Sequence, residues 1–282
     1  MSQQLHPYFD QKVVLATQHR KGEVIAPEFA AILGMQVNEF SVDTDSLGTF
    51  SGDVERIGTP KEVVIQKAKL GIEQSGYLFG LASEGSIGTD PFIPFIKSDI
   101  ELMAFIDVER NLTIVESLRS TEIIAAGTSV RKNSDIEDFL VRVDFPHHKL
   151  IIKSPEKTHS YIVKGIGDRA TLDKSLAEAF KEFPEVIIES DLRAHCSPSR
   201  MANIAKLANK LALRLSEQCP GCNTPGWGVV DYERGLPCSE CGEISEEAAK
   251  AEILGCFKCT FSQRGKVIAE SIDPSRCDLC NP

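Results

Sequence analysis

Eight of the nine cysteines lie in the last 64 residues and form four Cys-x-x-Cys pairs. Two thiolates separated by two residues can hold one ion from a single tight turn, with zinc–sulfur distances of about 2.3 Å. The intervals between successive pairs are 15, 14 and 17 residues, a spacing typical of zinc ribbons. The sequence therefore predicts two structural zinc sites, closed to water by four protein thiolates each and built from Cys219, Cys222, Cys238, Cys241, Cys256, Cys259, Cys277 and Cys280.

Four disulfides, or redox-active pairs, are the alternative interpretation of this pattern. The first ten residues have neither a cationic nor an apolar leader segment, so we expect a cytoplasmic protein with reduced thiols. Four tandem pairs also suit no single redox centre, and zinc is favoured. The pairs can share ions as neighbours (first with second, third with fourth) or interleaved (first with third, second with fourth). Spacing alone favours neighbours.

The charge balance argues against nucleic-acid binding. The 282 residues carry 31 basic and 41 acidic side chains, a formal net charge of −10. Residues 219–282 hold ten acidic and six basic side chains, and two zinc ions with four thiolates each would bring this tail to −8. Nowhere do 18 consecutive apolar residues occur, so no membrane span is predicted. We expect the tail to dock on a protein partner or to mediate self-association.

Short apolar segments alternate with amphipathic ones over the first 90 residues. Residues 12–16, 35–42 and 77–82 have the composition of strands. Two helices are predicted between them: one with Pro27 in its first turn and Gly34 beyond its end, and one from a capping box at residues 59–62 to Gly76. This alternation predicts an α/β fold with a mixed, largely parallel sheet and flanking helices.

The rest of the chain divides into three parts. Residues 102–108 and 113–118 predict a hairpin, and 122–126 predict a further strand. A short capped helix at residues 134–137, strands at 149–152, 161–164 and 186–189, and a helix at 171–180 complete an α/β domain over residues 1–196. Residues 197–218 predict a connecting helix whose apolar seam packs on this domain or on a second subunit, and residues 219–282 form the zinc-binding tail. The seam consists of Met201, Ile204, Ala208, Leu211 and Leu215.

Polar clusters follow four of the predicted strands. Because ligands of open α/β sheets bind beyond the carboxyl ends of the strands, we expect these clusters to share a crevice. Basic groups there would hold phosphate or carboxylate oxygens, and Glu84 with Asp45 would hold Mg²⁺. The clusters are Thr17, His19 and Lys21; Asp43, Thr44 and Asp45; Ser83, Glu84, Gly85 and Ser86; and Asp191, Arg193 and His195.

Each of these residues also has a purely structural interpretation. A serine or aspartate before a helix is often only a cap, and a charged loop is often only solvated. His147 and His148 have no carboxylate or cysteine neighbours at ligand spacing and are interpreted as loop residues. Cys196, beside His195, is expected to be buried packing, not a nucleophile.

The runs that contain these clusters, together with the Cys277-Asp-Leu-Cys280 ending, resemble a bacterial family of uncharacterised domains over nearly the whole chain. The first 88 residues are also similar in order to the house-cleaning inosine/xanthosine triphosphate pyrophosphatases, with Ala-Thr-x-x-x-Lys at residues 16–21 ending a first strand and Glu84-Gly85 ending a later one. This resemblance implies that Thr17 and Lys21 contact a triphosphate and that Glu84 lies on or beside a metal, with Glu55 as a second carboxylate.

Two functional hypotheses follow. The first is a Mg²⁺-dependent hydrolase of a nucleotide or related phosphoester, with Glu84, Asp45, His19 and Lys21 catalytic and Thr17, Ser83, Ser86, Arg193 and His195 binding the substrate. The second is a non-enzymatic protein that binds a small anion or a protein partner and is stabilised by zinc. The two differ in whether the basic and acidic groups converge on one pocket.

Overall fold

The computed structural model describes residues 5–42, 58–156 and 160–282. These residues form three β-sheets. The first has the strand order β2-β1-β3-β4-β5, the second β6-β9-β7-β8, and the third β10-β11-β12.

The first sheet occupies the N-terminal half of the chain. Its strands are β1 (Lys12–Ala16), β2 (Gln36–Phe40), β3 (Phe79–Thr89), β4 (Lys97–Asp107) and β5 (Leu112–Ser120). β1 pairs in parallel with β2 and β3, whereas β3, β4 and β5 pair antiparallel. The predicted mixed sheet is confirmed, but among the described residues parallel pairing is confined to β1 and its two neighbours. The hairpin at β4 and β5 extends the sheet antiparallel, because a four-residue turn cannot make a parallel crossover.

Helices cover both faces of this sheet: α1 (Gly22–Leu33), α2 (Pro60–Ser75) and, from the far end of the α/β region, α5 (Pro198–Ser216). α2 begins with the predicted capping box at Thr59 and ends at Gly76 in the left-handed conformation. α1 begins earlier than predicted, so Pro27 lies inside the helix and not in its first turn. Gly34 ends α1, as predicted, with a φ of 64°.

The helix predicted to connect the domain to the tail is also part of the first core. The seam of α5 packs against α1, β4 and β5, and Ile204, Ala208, Leu211 and Leu215 are fully buried. These side chains are therefore buried within the chain and are not available for contact with a second subunit. Self-association through other parts of residues 197–218 stays a prediction, as do the domain boundaries.

The second sheet has its own core within residues 1–196. Its strands are β6 (Gly127–Arg131), β7 (Leu150–Lys153), β8 (Ile162–Ile166) and β9 (Glu185–Ser190), all paired antiparallel. Alternate residues of these strands pack with α3 (Glu137–Arg142) and α4 (Arg169–Ala179). Residues 122–126 are not a strand: the Ile124 N–H donates to Ser199 Oγ at 3.1 Å. The strand predicted at residues 77–82 does not end before the polar cluster at residues 83–86, because β3 continues through that cluster to Thr89.

The third sheet belongs to the cysteine-rich tail. It is an antiparallel meander of β10 (Gly228–Pro237), β11 (Ile244–Gly255) and β12 (Ser262–Val267). Its core is small, consisting of Leu236, Cys238, Ile272 and Cys277 with two alanines. A module with so little apolar burial needs another source of stability, and metal binding supplies it in small domains of this kind.

Candidate functional site

The carboxyl end of β1 places a buried lysine against β3. β1 ends at Ala16 whereas β3 continues, so beyond Ala82 the β3 backbone has no β1 partner. Lys21 takes this place, with Nζ 2.9 Å from Oγ and 3.2 Å from the carbonyl oxygen of Ser83. Its side chain has no ion pair among the described residues, although the residue is only 7% exposed. Burial is the main cause that lowers the pKa of Lys21 to about 8.

Further cations surround Lys21. The rings of His19 and His195 stack with centroids 5.2 Å apart. Burial, and then the positive charges of Lys21, His195, Arg200 and Arg193, lower the pKa of His19 to about 4. Lys21, Arg193 and Arg200 are called the cationic cluster below, and His19 and His195, whose pKa values are both lowered, mainly by burial, lie beside it. The effect on His19 shows that the local field is positive in a protein whose net charge is −10.

Of the carboxylates predicted to bind magnesium, Glu84 is the one that lies within the described residues. Glu84 is 6% exposed and forms a 2.6 Å ion pair with Lys67 of α2. Asp45, with Asp43, Thr44 and Glu55, lies outside the described residues. Ser86 is exposed on β3, two residues beyond Glu84. A divalent ion at Glu84 would therefore have to compete with the Lys67 ammonium.

The remaining predicted binding residues have structural partners. The Thr17 hydroxyl accepts the His19 N–H at 3.3 Å and so shapes the turn before α1. The Arg193 guanidinium forms two short contacts with Asp191, at 2.9 and 2.5 Å, and these hold the pKa of Asp191 below its usual range despite the burial of that carboxyl. His195 faces a cavity of about 490 Å³ that is also lined by Arg20 and Lys149. Their roles toward a ligand stay a prediction.

A buried polar cluster next to Lys21 was missed by sequence reasoning. Arg200 of α5 donates from Nε to Glu101 at 2.6 Å and from Nη1 to the Leu192 carbonyl at 2.8 Å. Asn203, one turn further, donates to Asp99 at 2.9 Å. A Cβ added to Gly85 would lie 2.3 Å from both Arg200 Nη2 and Glu101 Oε1, so only glycine fits beside this ion pair.

The sequence did contain a signal for this cluster. Asp99 and Glu101 continue the buried row of Met103 and Phe105 along β4, because alternate strand residues share a face. Arg200 and Asn203 extend the buried stripe of α5 in the same way. Polar residues in register with two apolar rows predict a buried polar contact between them. A buried polar contact is predicted for Lys67 for the same reason, since it lies on the buried face of α2 between Val64 and Gly71.

His147 and His148 do have a carboxylate partner, so that expectation was wrong. Asp144 Oδ1 lies 3.2 Å from His147 Nδ1, and Oδ2 lies 3.0 Å from His148 Nδ1. His148 Nε2 in turn accepts the backbone N–H of Ser199 at 3.1 Å, which caps the first turn of α5. Cys196 is 2% exposed, as expected for packing, and burial raises the pKa of its thiol to about 11.

The eight tail cysteines form two clusters of four, with all ligand atoms of each cluster within 4.8 Å of one another. Tetrahedral coordination at about 2.3 Å from zinc places sulfurs about 3.8 Å apart. The Sγ–Sγ distances are 3.7 Å for Cys219–Cys259, 3.6 Å for Cys222–Cys256, 3.9 Å for Cys238–Cys280 and 3.6 Å for Cys241–Cys277. All nine cysteines are free thiols, so the disulfide alternative fails.

The clusters are interleaved, which corrects the neighbour pairing favoured by spacing. Cluster one contains the first and third Cys-x-x-Cys pairs, which are Cys219, Cys222, Cys256 and Cys259. Cluster two contains the second and fourth pairs, which are Cys238, Cys241, Cys277 and Cys280. In a meander the segment before β10 and the turn after β11 lie at one end, whereas the turn after β10 and the segment after β12 lie at the other. β10 separates the first pair from the second and has 10 residues, about 33 Å of extended chain, so these neighbouring pairs cannot meet.

The donor set fits zinc. Backbone N–H groups of Gly221 and Lys258 point at Cys219 Sγ and Cys256 Sγ from 3.4 and 3.3 Å. Such contacts favour thiolates, which are the zinc-binding form of cysteine.

Comparisons with known proteins agree with these observations without assigning a function. The family model described as "Domain of unknown function (DUF6671)" matches residues 67–282. Comparison with curated proteins gives no significant match. Within the described residues, no helix is long and apolar enough to cross a membrane.

Two solved structures are similar to part of the chain. One is a nucleoside-triphosphatase, or dITP/XTP pyrophosphatase, from Mycobacterium abscessus, with a TM-score of 0.27 and 12% identity over 38% of this chain and 70% of that one. The other is protein VC0702 from Vibrio cholerae, with a TM-score of 0.26 and 11% identity over 39% of this chain and 61% of that one. Likeness at this level carries no argument about activity.

Proposed function

Since the chain belongs to the DUF6671 family of domains of unknown function, we propose its function from its own residues: binding of a nucleotide or related phosphoester at the cationic cluster. The observation that carries this proposal is Lys21. A lysine that is 7% exposed and hydrogen-bonded only to neutral oxygens among the described residues has lost most of its hydration. The charges of Glu101 and Glu84 act on Lys21 without forming an ion pair with it among the described residues, and a phosphate group would supply a counter-charge in direct contact.

The composition of the cluster supports the same ligand. Lys21, Arg193 and Arg200 are suited to phosphate oxygens, and guanidinium groups bind them through paired N–H donors. Two of these cations already have carboxylate partners: Arg193 has Asp191 and Arg200 has Glu101. Such pairs orient the guanidinium groups, and Lys21 is then the group from which the ligand gains most.

The binding test is a thermal-shift screen of inorganic triphosphate and nucleoside triphosphates. A ligand present at about 100 times its Kd stabilises the folded state by about 2.7 kcal/mol, which is readily seen as a higher Tm. We expect Lys21→Met to abolish the shift. Lys12→Met, an exposed lysine at the opposite end of β1, is the matched control and should keep it. No shift with any of these phosphates would contradict the proposal.

Hydrolysis of the bound phosphoester is the second candidate function, and Glu84 is the residue that favours it. It follows Ser83 directly, and its charge raises the pKa of Lys21 against the effect of burial. A Mg²⁺ ion held there would polarise the phosphorus and activate a water that replaces the leaving oxygen. The ion would have to displace Lys67 from the carboxylate.

The activity test measures phosphate or pyrophosphate release with and without Mg²⁺. We expect Glu84→Gln to abolish release while keeping the thermal shift. Because this variant leaves Lys67 buried without its partner, the double variant Glu84→Gln/Lys67→Met is the control for folding. Binding without turnover under any metal would support the non-enzymatic, anion-sensing alternative.

A further inference from the structure

A second cavity, separate from Lys21 and Ser83, lies over the second sheet. It has a volume of about 430 Å³ and is lined by β6, β7, β8, β9, the segments before β6 and after β9, and Lys97 of β4. Residues of both α/β sheets therefore contribute to its wall. Small-molecule sites commonly have this size and lie between structural units.

The charge of this cavity is opposite to that of the protein. Its wall contains four cations, Lys97, Lys153, Lys164 and Arg193, and two carboxylates, Glu189 and Asp191. The lining thus carries a formal charge of +2, although the whole chain carries −10. Gathering like charges around one hollow is unfavourable in the absence of an anion, and it attracts one.

Two of the cations are held in place before any ligand arrives. Lys153 forms a 2.8 Å ion pair with Glu189 on the neighbouring strand, with side-chain exposures of 19% and 33%. Arg193 is clamped by Asp191, whose second oxygen also accepts the Gly165 N–H at 3.0 Å. Fixed side chains lose little entropy on binding, which favours affinity.

The floor of the cavity is apolar. Ile151 and Ile162 lie on it because they alternate with the residues of β7 and β8 that face the second core. Leu192, Ala125 and Ala126 complete the wall. A free inorganic anion would leave these apolar side chains exposed to water, whereas a ligand with an apolar body would cover them.

We propose that this cavity binds an organic anion that has at least two negative charges and an apolar body, such as an aryl or alkyl phosphomonoester. The anionic group lies among the cations of the wall, Lys97, Lys153, Lys164 and Arg193, and the apolar body lies on Ile151 and Ile162. This site goes beyond the proposed function, which depends on Lys21. Arg193 marks the border between the two sites.

The test is an NMR titration of the uniformly ¹⁵N-labelled full chain with phenyl phosphate, inorganic phosphate and benzyl alcohol. We expect phenyl phosphate to shift the amide signals of Gly127, Ile151 and Gly165, and to bind at least tenfold more tightly than inorganic phosphate. The neutral alcohol should not bind. Lys153→Met should raise the Kd of phenyl phosphate at least tenfold.

Two further variants keep the result interpretable. Ala125→Met narrows the cavity without changing its charge and should also weaken binding, whereas Lys174→Met, an exposed lysine on α4, should leave the Kd unchanged. Shifts confined to the surroundings of Lys21 and Ser83 would overturn this proposal while supporting the proposed function. No shift near Ile151 at 10 mM phenyl phosphate, or equal effects of Lys153→Met and Lys174→Met, would also overturn it.

Discussion

At the scale of single residues, the most unusual feature is the pair of buried carboxyls on β4. Asp99 and Glu101 are 1% and 0% exposed, and within the described part of the chain Asp99 Oδ1 and Glu101 Oε2 have no hydrogen-bond partner. Arg200 supplies one positive charge for the two acids. Burial, and then the charge of Glu101, raise the pKa of Asp99 to about 6.

This shift predicts a stability that falls as the pH rises. An acid whose folded-state pKa exceeds its unfolded value of 3.8 favours folding fully below pH 4, and the contribution is lost between about pH 4 and pH 6. We expect Asp99→Asn, which imitates the protonated acid, to raise the free energy of unfolding by about 2 to 3 kcal/mol at pH 8. At pH 4 the two proteins should be equally stable.

Urea denaturation at both pH values measures the effect. Asp138→Asn, at an exposed position on α3, is the control and should change stability by less than about 0.5 kcal/mol. A destabilised Asp99→Asn variant at pH 8 would show that the ionised carboxylate is the stabilising form.

Residue types predicted which side chains lie near one another better than they predicted the contacts of those side chains, and a role of these residues as a site stays a prediction. Lys21, His19 and Ser83 were singled out because they follow apolar segments, and the structure does bring them together. Arg200 and Glu101, which form an ion pair with each other beside this group, lie 99 residues apart in the chain, so no local pattern joins them. Asp45 lies outside the described residues, and its role stays a prediction.

At the scale of elements, the zinc tail shows what spacing can and cannot predict. Four Cys-x-x-Cys pairs predict two sites of four thiolates each, and two clusters are present. Which pairs meet depends on the length and direction of the strands between them, and glycine-containing segments such as residues 226–237 gave no strand signal at the sequence level. Thr59, Gly34 and Gly76 cap or end their helices as predicted, whereas the capping box predicted at residues 134–137 does not form, since Ile136 precedes α3 and makes no side-chain cap.

Zinc content distinguishes the two pairings directly. We expect two zinc ions per chain by elemental analysis. Cys222→Ser/Cys256→Ser removes ligands from cluster one only and should leave one zinc, whereas Cys222→Ser/Cys241→Ser damages both clusters and should leave none. The neighbour pairing would be supported instead if Cys222→Ser/Cys256→Ser left no zinc and Cys222→Ser/Cys241→Ser left one zinc ion per chain.

At the scale of the whole molecule, Arg214 of α5 joins the first sheet to the tail. It forms an ion pair with Glu116 of β5, donates to the Val229 carbonyl of β10 at 2.8 Å, and lies over the ring of Phe257, between two cluster-one cysteines. Its side chain is 10% exposed. The first cysteine cluster is thus anchored on the α/β region, and the second lies at the far end of the meander.

Substitution of Arg214 should weaken the attachment of the tail to the first sheet. We expect Arg214→Met to lower the free energy of unfolding by about 3 kcal/mol, because a nearly buried ion pair and two backbone contacts are lost. Lys210→Met is the matched control: this lysine also contacts Glu116 but is 53% exposed, so a loss under about 1 kcal/mol is expected. Hydrogen exchange of the β10 amides should become faster only in Arg214→Met, and equal exchange in both variants would contradict the anchoring role.

The central claim is that Lys21 binds phosphate, and its low pKa provides the most direct test. Near pH 8 the lysine of the free protein is partly deprotonated, and a bound phosphate would raise its pKa. Titration calorimetry of inorganic triphosphate at pH 8, in buffers of different ionisation enthalpy, should therefore detect uptake of a fraction of a proton per ligand that disappears in Lys21→Met and persists in Lys12→Met. Absence of binding, or the same proton uptake in Lys21→Met as in the unmodified protein, would contradict the account.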